Sequence, residues 1–522
     1  MYAPGEKLWH FHGGIRLDGQ RELSTGRPLG AVPLSAEFVV PVQQHIGQAG
    51  DVLVREGQHV HRGQQLTQVR EYIGAPVHAP TSGKVIAIEN RPVPHPSGLE
   101  GLCVVIEADG RDDWGDSRLE PLEDYRALSP GRIRRRVRKC GIVGLGGAAF
   151  PTAAKINPLH EQRIHTLVLN GAECEPYITC DDTLLRHHAA EVVEGARILM
   201  HTLGGPERCL IAVEEDMPEA YEALREVLGG TSSGSFRLVR IPSIYPTGSE
   251  KQLIQVLTGR EVPADGLPAD IGVVCQNVAT ARAVYRAVVH GEPLIERIVT
   301  VTGRGVSEPG NHLVRIGTPV HEVIAHAGGY VEPVQWLLMG GPMMGVALHD
   351  DAVPVVKATN CLLAARRGEL RAAGPVLPCI RCGECVRVCP ARLLPHELYR
   401  LARAAEFDRA QEYDLFDCIE CGCCAYVCPS HLPLVHYYRY AKSEIRDLER
   451  ERQAADRARR RHEFRLERLE REKRERAERL AKKKAAVSHK ADPERKKAAV
   501  QAAVQRAQAR KAARGDTAPT EN

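Results

Sequence analysis

The sequence predicts a multidomain α/β protein that ends in a charged, helical or disordered tail. Three observations lead to this fold class. Residues 31–120 show short apolar–polar alternations broken by Gly and Pro, residues 121–295 alternate strand-like and helix-like segments, and residues beyond 445 are almost all charged or alanine. A chain of 522 residues with 43% hydrophobic and 26% charged residues has room for roughly three to five domains with apolar cores.

The N-terminal part of the chain predicts an extended arm followed by a small β domain. Residues 1–30 are Gly-rich and polar, and we expect them to pack on another domain. Residues 31–120 predict a small β-sandwich or barrel, because apolar residues recur with period two between turns. Phrases at residues 50–66 and 75–85 resemble the hammerhead of biotinyl and lipoyl carriers. Since residues 67–74 between them contain no lysine, we predict no lipoylation.

The middle of the chain predicts an α/β domain followed by a second β-rich domain. Residues 166–169 and 210–213 are apolar runs typical of buried strands, and residues 189–203 and 219–228 have helical periodicity. This alternation favours a Rossmann-like α/β fold over residues 121–295. Residues 296–359 return to β character and include a glycine-rich run at 339–345.

Residues 360–445 contain the strongest chemical signal, the run C-x2-C-x2-C-x3-C-P, which occurs twice with an offset of 39 residues. This is the spacing of bacterial ferredoxins with cubane iron–sulfur clusters. Two residues between thiolates let one tight turn wrap a cluster corner, and the fourth cysteine then ligates the other cluster. A helical segment at 398–404 between the runs favours a helical ferredoxin module. The predicted [4Fe–4S] ligands are Cys379, Cys382, Cys385 and Cys428 for cluster one, and Cys418, Cys421, Cys424 and Cys389 for cluster two.

Paired structural zinc sites are the alternative, since they also use C-x2-C pairs. Zinc takes four ligands in two pairs, whereas this pattern offers three plus one, twice, so iron–sulfur chemistry is favoured. Cys423 lies between two ligands of cluster two, and we interpret it as a spectator thiol because eight cysteines already satisfy two clusters.

Cysteine usage and hydropathy predict a cytoplasmic protein. Ladders of free thiolates need a reducing compartment. The N-terminal segment has no apolar core of the signal-peptide type, and no stretch of 18 apolar residues is present. Any membrane attachment is therefore expected to come through a partner.

The tail, residues 446–522, is basic. Residues 441–522 carry 26 Lys and Arg against 15 Asp and Glu, and glutamates recur four residues before cations, as in Glu467–Arg471, which supports a solvated helix. Nucleic acid or anionic lipid could bind the clusters at 482–484 and 495–497. An exposed, partly disordered tail is favoured over both, so no nucleic-acid partner is expected.

A glycine loop at residues 141–155 is the candidate binding site for the group that supplies electrons to the clusters. Clusters move single electrons while most metabolites deliver two, so a flavin is expected upstream of them. Gly144-x-Gly146-x-x-Ala149 satisfies a relaxed dinucleotide fingerprint, but it follows a basic segment at 131–139 rather than a strand. A common tight turn is therefore the alternative interpretation of this loop.

Later phrases strengthen the flavin interpretation. Residues 170–176 read N-G-A-E-C-E-P and follow a predicted strand, residues 245–250 read Y-P-T-G-S-E, and residues 276–280 read Q-N-V-A-T. This order resembles the flavin- and NADH-binding subunit of respiratory complex I. With the carrier-like domain before it and the cysteine runs after it, the chain resembles more closely the C-subunit family of Rnf electron-transport complexes, over about residues 5–440.

The resemblance implies a peripheral subunit on the cytoplasmic side of the bacterial inner membrane, without a transmembrane span of its own. It would pass electrons between NADH, through FMN, and two [4Fe–4S] clusters. Its partners would be membrane-embedded and flavin-bearing subunits that couple electron flow to ion translocation, with ferredoxin acting indirectly. No acid–base catalytic residue is required.

The resemblance also assigns binding residues and completes the domain plan. Gly144, Gly146, Lys155, Asn170, Glu173, Tyr245, Gly248, Gln276 and Asn277 would surround FMN. Gly147, Ala148, Phe150, Glu175 and Glu250 would face the nicotinamide nucleotide. The plan is an arm (1–30), a carrier-like β-sandwich (31–120), an α/β FMN/NADH domain (121–295), a β-grasp domain (296–359), a two-cluster ferredoxin domain (360–445) and a basic tail (446–522).

Four positions depart from the complex I pattern. Leu145 stands where Arg is usual, Ala149 where Gly is usual, Ala172 where Asp is usual and Ser249 where Glu is usual. Loss of two acids and an arginine would alter hydrogen bonds to a flavin. The alternative function is therefore a non-catalytic iron–sulfur electron-transfer adaptor without flavin.

Overall fold

The computed structural model describes residues 7–158, 162–371, 374–490 and 493–512. The chain forms two compact units, one that ends at Lys442 and one that begins at Ser443. Within the described residues the strands are β1 (Gly30–Ala31), β2 (Glu37–Pro41), β3 (Asp51–Val52), β4 (His59–Val60), β5 (Thr67–Gln68), β6 (Gly83–Pro92), β7 (Glu100–Ala108), β8 (Thr166–Gly171), β9 (Arg208–Glu214), β10 (Ser232–Ser233), β11 (Phe236–Ile241), β12 (Val273–Asn277), β13 (Glu296–Thr302), β14 (Gly310–Arg315), β15 (Val334–Met339), β16 (Val346–Ala347) and β17 (Cys361–Arg366).

The helices of the described residues lie mainly in the α/β domain and after the last strand. In chain order they are α1 (Glu22–Thr25), α2 (Pro130–Lys139), α3 (Thr152–Lys155), α4 (Cys180–Thr202), α5 (Pro218–Leu228), α6 (Glu250–Thr258), α7 (Val278–Val289), α8 (Val320–His326), α9 (Glu384–Arg387), α10 (Pro395–Arg403), α11 (Phe407–Glu412), α12 (Cys423–Tyr426), α13 (Leu434–Lys490) and α14 (Pro493–Ala512). No helix in these ranges is long and apolar enough to cross a membrane.

The first domain is a small β-sandwich, as the alternating pattern predicts. A four-stranded antiparallel sheet in the order β2-β7-β6-β4 faces the β3–β5 pair. Phe38, Val60, Leu66 and Ile106 are fully buried between them. Their burial explains why apolar residues alternate along these strands.

The second domain is built on a five-stranded sheet in the order β10-β11-β9-β8-β12. Its last four strands are parallel, and β10 pairs antiparallel at one edge. Helices α4, α5 and α7 pack on one face and α6 packs on the other, so the strands are buried on both faces. This explains their continuous apolar runs. Counted along the chain from β8, the parallel strands have the order 3-2-1-4, in which the winding direction reverses between β8 and β12.

The third domain is a six-stranded mixed sheet in the order β1-β14-β13-β17-β15-β16, with α8 packed on its apolar face. Two segments outside the predicted range of 296–359 belong to this sheet. Strand β1 comes from the N-terminal arm and pairs with β14, and β17 pairs with both β13 and β15. The sheet therefore extends past the predicted boundary at 359, because Leu362 and Ala364 are fully buried in its core.

The cysteine-rich segment forms short helices, in agreement with the helical pattern between the two runs. Helix α13 starts at Leu434, before the predicted tail, and continues to Lys490. Nearly all described residues from 446 to 512 are exposed and helical, which fits the solvated-helix interpretation of this region.

Candidate functional site

The two cysteine runs have the same backbone conformation at equivalent positions. Each run turns through left-handed residues and then enters a one-turn helix, α9 or α12. One of these left-handed residues in each run is a glycine, with φ of 80° at Gly383 and 81° at Gly422. A residue with a Cβ would be strained in this conformation. The other left-handed pairs, also 39 residues apart, are Arg381 with Glu420 and Arg392 with His431.

The second run closes around a cavity together with the last cysteine of the first run. Cys389, Cys418, Cys421 and Cys424 all line this cavity. Its remaining wall is largely apolar and includes Tyr438. The structure thus brings together the four residues predicted for cluster two, in the three-plus-one arrangement that the spacing implies.

The residues predicted for cluster one lie nearer the surface. Cys379 and Cys382 are exposed, Cys385 is half-buried and Cys428 is buried. Burial raises the pKa of Cys385, and the neighbouring Cys382, Cys379 and Cys428 raise it further. Those neighbours place the fourth cysteine of the second run beside the first three cysteines of the first run.

The spacing of the sulfurs argues against single zinc ions. Tetrahedral zinc with Zn–S bonds of about 2.3 Å holds its sulfurs within about 4 Å of one another. In the described part of the chain, the one group of three possible ligand atoms within 4.8 Å of each other is Glu173, Cys180 and Asp181. In the described part of the chain, no three sulfurs of the cysteine runs therefore lie as close together as the ligands of one tetrahedral zinc ion.

Cys423 lies at the same cavity and is fully buried. Its thiol hydrogen-bonds the sulfur of Cys421, which raises the pKa of Cys423 and lowers that of Cys421. Cys423 therefore lies next to a predicted ligand of cluster two, and its interpretation as a spectator thiol stays a prediction.

The predicted flavin residues gather at the carboxyl edge of the five-stranded sheet. Asn170 at the end of β8 is paired in register with Asn277 at the end of β12. This is the point where the strand order reverses, and open α/β sheets bind ligands in the crevice at such a point. Asn170 Nδ2 donates to Gly248 O at 2.8 Å, which ties the loop before α6 to the same edge.

The glycine loop lies across the start of α7. Gly144 N donates to Phe150 O at 2.8 Å, and Leu145 N donates to Thr280 Oγ1 at 2.9 Å. These bonds leave Gly146, Gly147 and Ala148 at an exposed tip, where a Cβ on Gly147 would meet nothing within 4 Å. Among the described residues, no group accepts from the three amides of this tip. They are free to bind phosphate or a flavin edge.

Gln276 gives direct evidence of an unfilled polar contact. Its side chain is 3% exposed, and its Nε2 has no hydrogen-bond partner within the described structure. Buried amides are nearly always paired, so this unpartnered one is available to an acceptor from outside the chain. A flavin carbonyl or phosphate oxygen fits this need, and we conclude that the residues of this edge suit FMN.

Two predicted flavin residues make extensive contacts within the protein. Glu173 Oε1 accepts from Asp181 N at 2.9 Å and its Oε2 accepts from Asp182 N at 3.2 Å, so it caps α4. Burial raises the pKa of Glu173 to about 7, and the nearby Asp181 adds to this effect. Asn277 Oδ1 accepts from Ala279 N at 2.8 Å and caps α7. Their predicted contact with FMN stays a prediction.

Glu175 connects the flavin edge to the third domain. Its Oε1 accepts from Met343 N at 2.6 Å and from Met344 N at 3.0 Å, in the glycine-rich run after β15. Burial raises the pKa of Glu175 to about 7, against the lowering effect of these amides. Glu175 is thus held at the junction of the two domains.

Lys155 and Glu250 form an ion pair, with Nζ and Oε2 2.6 Å apart. Both side chains are partly exposed, so a bound phosphate could compete for the lysine. The nearby Gly248 N donates to Cys174 Sγ at 3.3 Å, and a Cβ on Gly248 would lie 3.0 Å from that sulfur. A side chain at this position would therefore press on the neighbouring loop.

Sequence reasoning missed three contributors to this site. Arg21 of the N-terminal arm donates to Glu173 O at 3.1 Å and lies 3.5 Å from Asp182 Oδ2. The sequence predicts Thr280 only as part of a motif. It predicts no role for the amides of the run at 339–345. Arg21 is one of three arginines in the arm, with Arg16 and Arg27, so no local pattern singles it out, and its partner Glu173 lies 152 residues away.

Comparison with known families matches four successive parts of the chain. The RnfC barrel sandwich hybrid domain matches residues 9–111, and the Nuo51 FMN-binding domain matches residues 137–286. The SLBB domain matches residues 298–347, and the 4Fe-4S dicluster domain matches residues 378–432. These matches bear out the coarse order of β-sandwich, α/β, β-rich and iron–sulfur domains.

Curated relatives are named as C subunits of ion-translocating oxidoreductase complexes. The Pseudomonas aeruginosa protein is 49% identical over 458 residues, covering 88% of this chain and 58% of the relative. The Edwardsiella ictaluri protein is 48% identical over 513 residues, covering 98% and 62% respectively. The chain therefore spans about three fifths of the length of these relatives.

Among solved structures, an NAD+-reducing [NiFe]-hydrogenase in the H2-reduced state aligns over 63% of each chain, with 18% identity and a TM-score of 0.42. This likeness is too distant to carry an argument about function. The domain matches and the relatives agree with each other, and over most of its length the chain is similar to the C subunits of ion-translocating oxidoreductase complexes.

Proposed function

We propose that this protein is a peripheral electron-transfer subunit that exchanges electrons between NADH and the other subunits of an ion-translocating complex. Bound at the edge of the five-stranded sheet, FMN would accept a hydride and release single electrons to two [4Fe–4S] clusters. The exposed amides at residues 146–148 and Lys155 would hold its phosphate. Gln276 would donate to an acceptor on it, and Glu175 and Glu250 would orient the nicotinamide nucleotide.

One contact carries this proposal. Tyr245, in the loop that follows β11 at the flavin edge, donates through its hydroxyl to Cys421 O at 2.6 Å. Tyr245, Cys421 and Cys423 form one buried cluster, against which Cys174 and Met343 pack. The candidate flavin edge and the cluster-two cavity therefore share a wall, which supports electron transfer from flavin to cluster two. The exposed cysteines of cluster one would then face the next electron carrier.

The setting of the protein follows from the same proposal. The name shared by the relatives supports assembly with further subunits, which would be membrane-embedded and flavin-bearing, with ferredoxin as the distant redox partner. Thiolate ligands such as Cys379 and Cys382 need a reducing compartment, which fits a position on the cytoplasmic side of the inner membrane.

Anaerobic purification of the full chain tests the proposal. We expect flavin absorbance, about eight irons per chain and bleaching of the flavin by NADH. Gln276→Leu should lose most of the flavin and keep the irons, because it removes the unpartnered amide. Gln255→Leu, on the partly exposed face of α6, should keep both. Irons without flavin in the native chain would contradict the proposal.

An electron-transfer adaptor without flavin is the second candidate. It is favoured by the internal contacts of Glu173 and Asn277 and by the Lys155–Glu250 ion pair, which occupy side chains that would otherwise bind FMN. Denaturing the anaerobic protein and measuring the released flavin separates the two functions. Stoichiometric flavin excludes the adaptor, and its absence supports it.

A further inference from the structure

Side chains from three separate segments donate hydrogen bonds to the main-chain oxygens of the cluster-two cysteines. We propose that His12, Tyr245 and Lys442 tune the reduction potential of the cluster held by Cys389, Cys418, Cys421 and Cys424. The inference rests on iron–sulfur occupancy of this cavity, as in the proposed function, and does not depend on FMN.

The first donor comes from the N-terminal arm. His12 Nδ1 lies 3.0 Å from Cys389 O, and because a carbonyl can only accept, the ring nitrogen is the donor. The arm is held there by its backbone, since Gly14 N donates to Val388 O at 3.0 Å. A Cβ on Gly13 would lie 2.6 Å from Val388 C and O, so the arm approaches as closely as glycine permits. The ring of His12 is therefore positioned by its neighbours on the cluster-binding segment.

The second donor comes from the α/β domain. Tyr245 is 3% exposed, and its hydroxyl donates to Cys421 O at 2.6 Å. The backbone of Tyr245 exchanges two hydrogen bonds with Ile15 of the arm, at 2.8 and 2.9 Å. The phenol is thus fixed by the same arm that carries His12.

The third donor comes from the start of α13. Lys442 is 5% exposed and its Nζ donates to Cys418 O at 2.6 Å. The ammonium also lies 2.9 Å from Glu420 Oε1, and Glu420 pairs in addition with Arg439 at 3.0 Å. Two cations therefore share one carboxylate, which leaves a net positive charge beside this ligand loop.

Cluster one has no such set of donors. In the described ranges, no side chain donates to the main-chain oxygen of any of its predicted ligands, which are Cys379, Cys382, Cys385 and Cys428. The difference matters because the two runs otherwise share one backbone conformation. Tertiary contacts thus make two similar sites electrostatically unequal.

The direction of the effect follows from charge. Adding one electron makes the cluster more negative, and hydrogen bonds and positive charge around its ligands stabilise that reduced state. Each donor also draws electron density away from the negatively polarised carbonyl oxygen that it binds in the ligand loop. The three donors therefore raise the potential of cluster two, which suits it to accept electrons from a donor in the adjoining α/β domain.

Anaerobic redox titration of the full chain, followed by electron paramagnetic resonance, tests the proposal. We expect His12→Phe, Tyr245→Phe and Lys442→Met each to lower the potential of the same one of two cluster signals. Only the part of each hydrogen bond's strength that differs between the two redox states shifts the potential, so the reduced-to-oxidised ratio at a fixed potential should change by up to about tenfold, where tenfold equals 59 mV for one electron.

Controls separate tuning from a structural role. His12→Asn and Lys442→Arg keep a donor and should restore the native potential. His10→Phe on the exposed part of the arm, Tyr285→Phe on α7 and Lys139→Met on α2 should shift neither signal. Titration with a chemical reductant needs neither NADH nor flavin, so failure of the proposed function through a lack of flavin or of NADH oxidation would leave this readout intact.

Two outcomes would overturn the inference. One is that the three variants retain about eight irons but shift neither signal, or shift both signals alike. The other is that all three variants lose the iron of cluster two, because the donors would then be needed for assembly rather than for potential. If one variant loses iron, the potentials measured for the other two variants decide whether the inference holds.

Discussion

Glu173 is predicted to contact FMN, and it also stabilises the start of helix α4. Its two oxygens accept from the first-turn amides of α4, and Arg21 of the arm lies beside it. A carboxylate at a helix N-terminus satisfies orphan amides and favours the helix dipole. Helix α4 therefore begins at Cys180, earlier than its apolar periodicity from residue 189 indicates.

Lys357 is a buried cation of the third domain that contacts both the β-sandwich and the α/β domain. Its Nζ donates to Pro76 O of the β-sandwich and to Gly141 O at the start of the glycine loop, both at 2.8 Å. Its amide donates to Gln44 Oε1 at 3.0 Å. Burial lowers the pKa of Lys357 from 10.5 to about 7.

Lys357 should make stability depend on pH. Between about pH 7 and 10.5 the unfolded chain binds the lysine proton and the folded chain does not, so the free energy of unfolding should rise with pH. The slope is at most about 1.4 kcal/mol per pH unit. Denaturant unfolding of native protein and Lys357→Met at several pH values checks this. The advantage of the native protein should grow from pH 7 to 9, and parallel curves would contradict the assignment.

At the scale of elements, α4 and α7 pack so closely that one helix requires glycine. A Cβ on Gly195 of α4 would lie 1.9 Å from Ala281 O of α7. Both helices cover the same face of the five-stranded sheet and begin at caps, Glu173 and Asn277, that lie at the candidate flavin edge. Their separation therefore affects the position of that edge.

Gly195→Ala should destabilise the protein although alanine is the better helix former. Overpacking of this kind costs about 1–3 kcal/mol, which outweighs a helix-propensity gain of about 1 kcal/mol. Gly131→Ala in α2 is the matched control, because its Cβ would meet only flexible arginine ends at 3.8 Å. Thermal unfolding should show a lower midpoint for the first variant and an equal or higher one for the second. A stabilising Gly195→Ala would show that the helices can separate freely.

At the scale of the whole chain, the N-terminal arm connects three domains of the first unit. Trp9 N donates to Val256 O, Gly14 N donates to Val388 O, and β1 pairs with β14. The arm thus contacts the α/β, iron–sulfur and six-stranded domains in turn. Its glycines allow the close approach that these contacts need, as Gly13 shows.

The tail is expected to be dispensable for electron transfer. A chain that ends at residue 449 keeps every predicted ligand and cofactor residue, while most of the described residues it removes are exposed. The shortened protein should retain its irons, flavin and NADH-dependent reduction. A collapse of activity would assign the tail a direct role, and salt-dependent binding of the full chain alone to nucleic acid would revive the interpretation of the tail as a nucleic-acid site.

Prediction from the sequence succeeded where the signal was local. The repeated spacing predicted a tight turn in each cysteine run, and the structure has matching left-handed turns at Gly383 and Gly422, because ligand spacing and glycine both act within a few residues. The apolar runs at 166–169 and 210–213 anticipated β8 and β9. The boundary at 359 failed because β17 pairs with β13, about 60 residues earlier in the chain, and no local pattern reports that pairing.

The sequence by itself determined the chemistry this protein can carry, through eight cysteines at ferredoxin spacing, the order of its domains and a glycine loop before a set of strand-end phrases. The tertiary structure alone decided which partners those residues have. It placed His12, Tyr245 and Lys442 on the cluster-two ligands and left the amide of Gln276 unpaired. The reason is physical: turn geometry and cysteine spacing are set within a few residues, whereas the hydrogen bonds of His12 and Tyr245 join residues 377 and 176 positions apart and arise only when the domains pack.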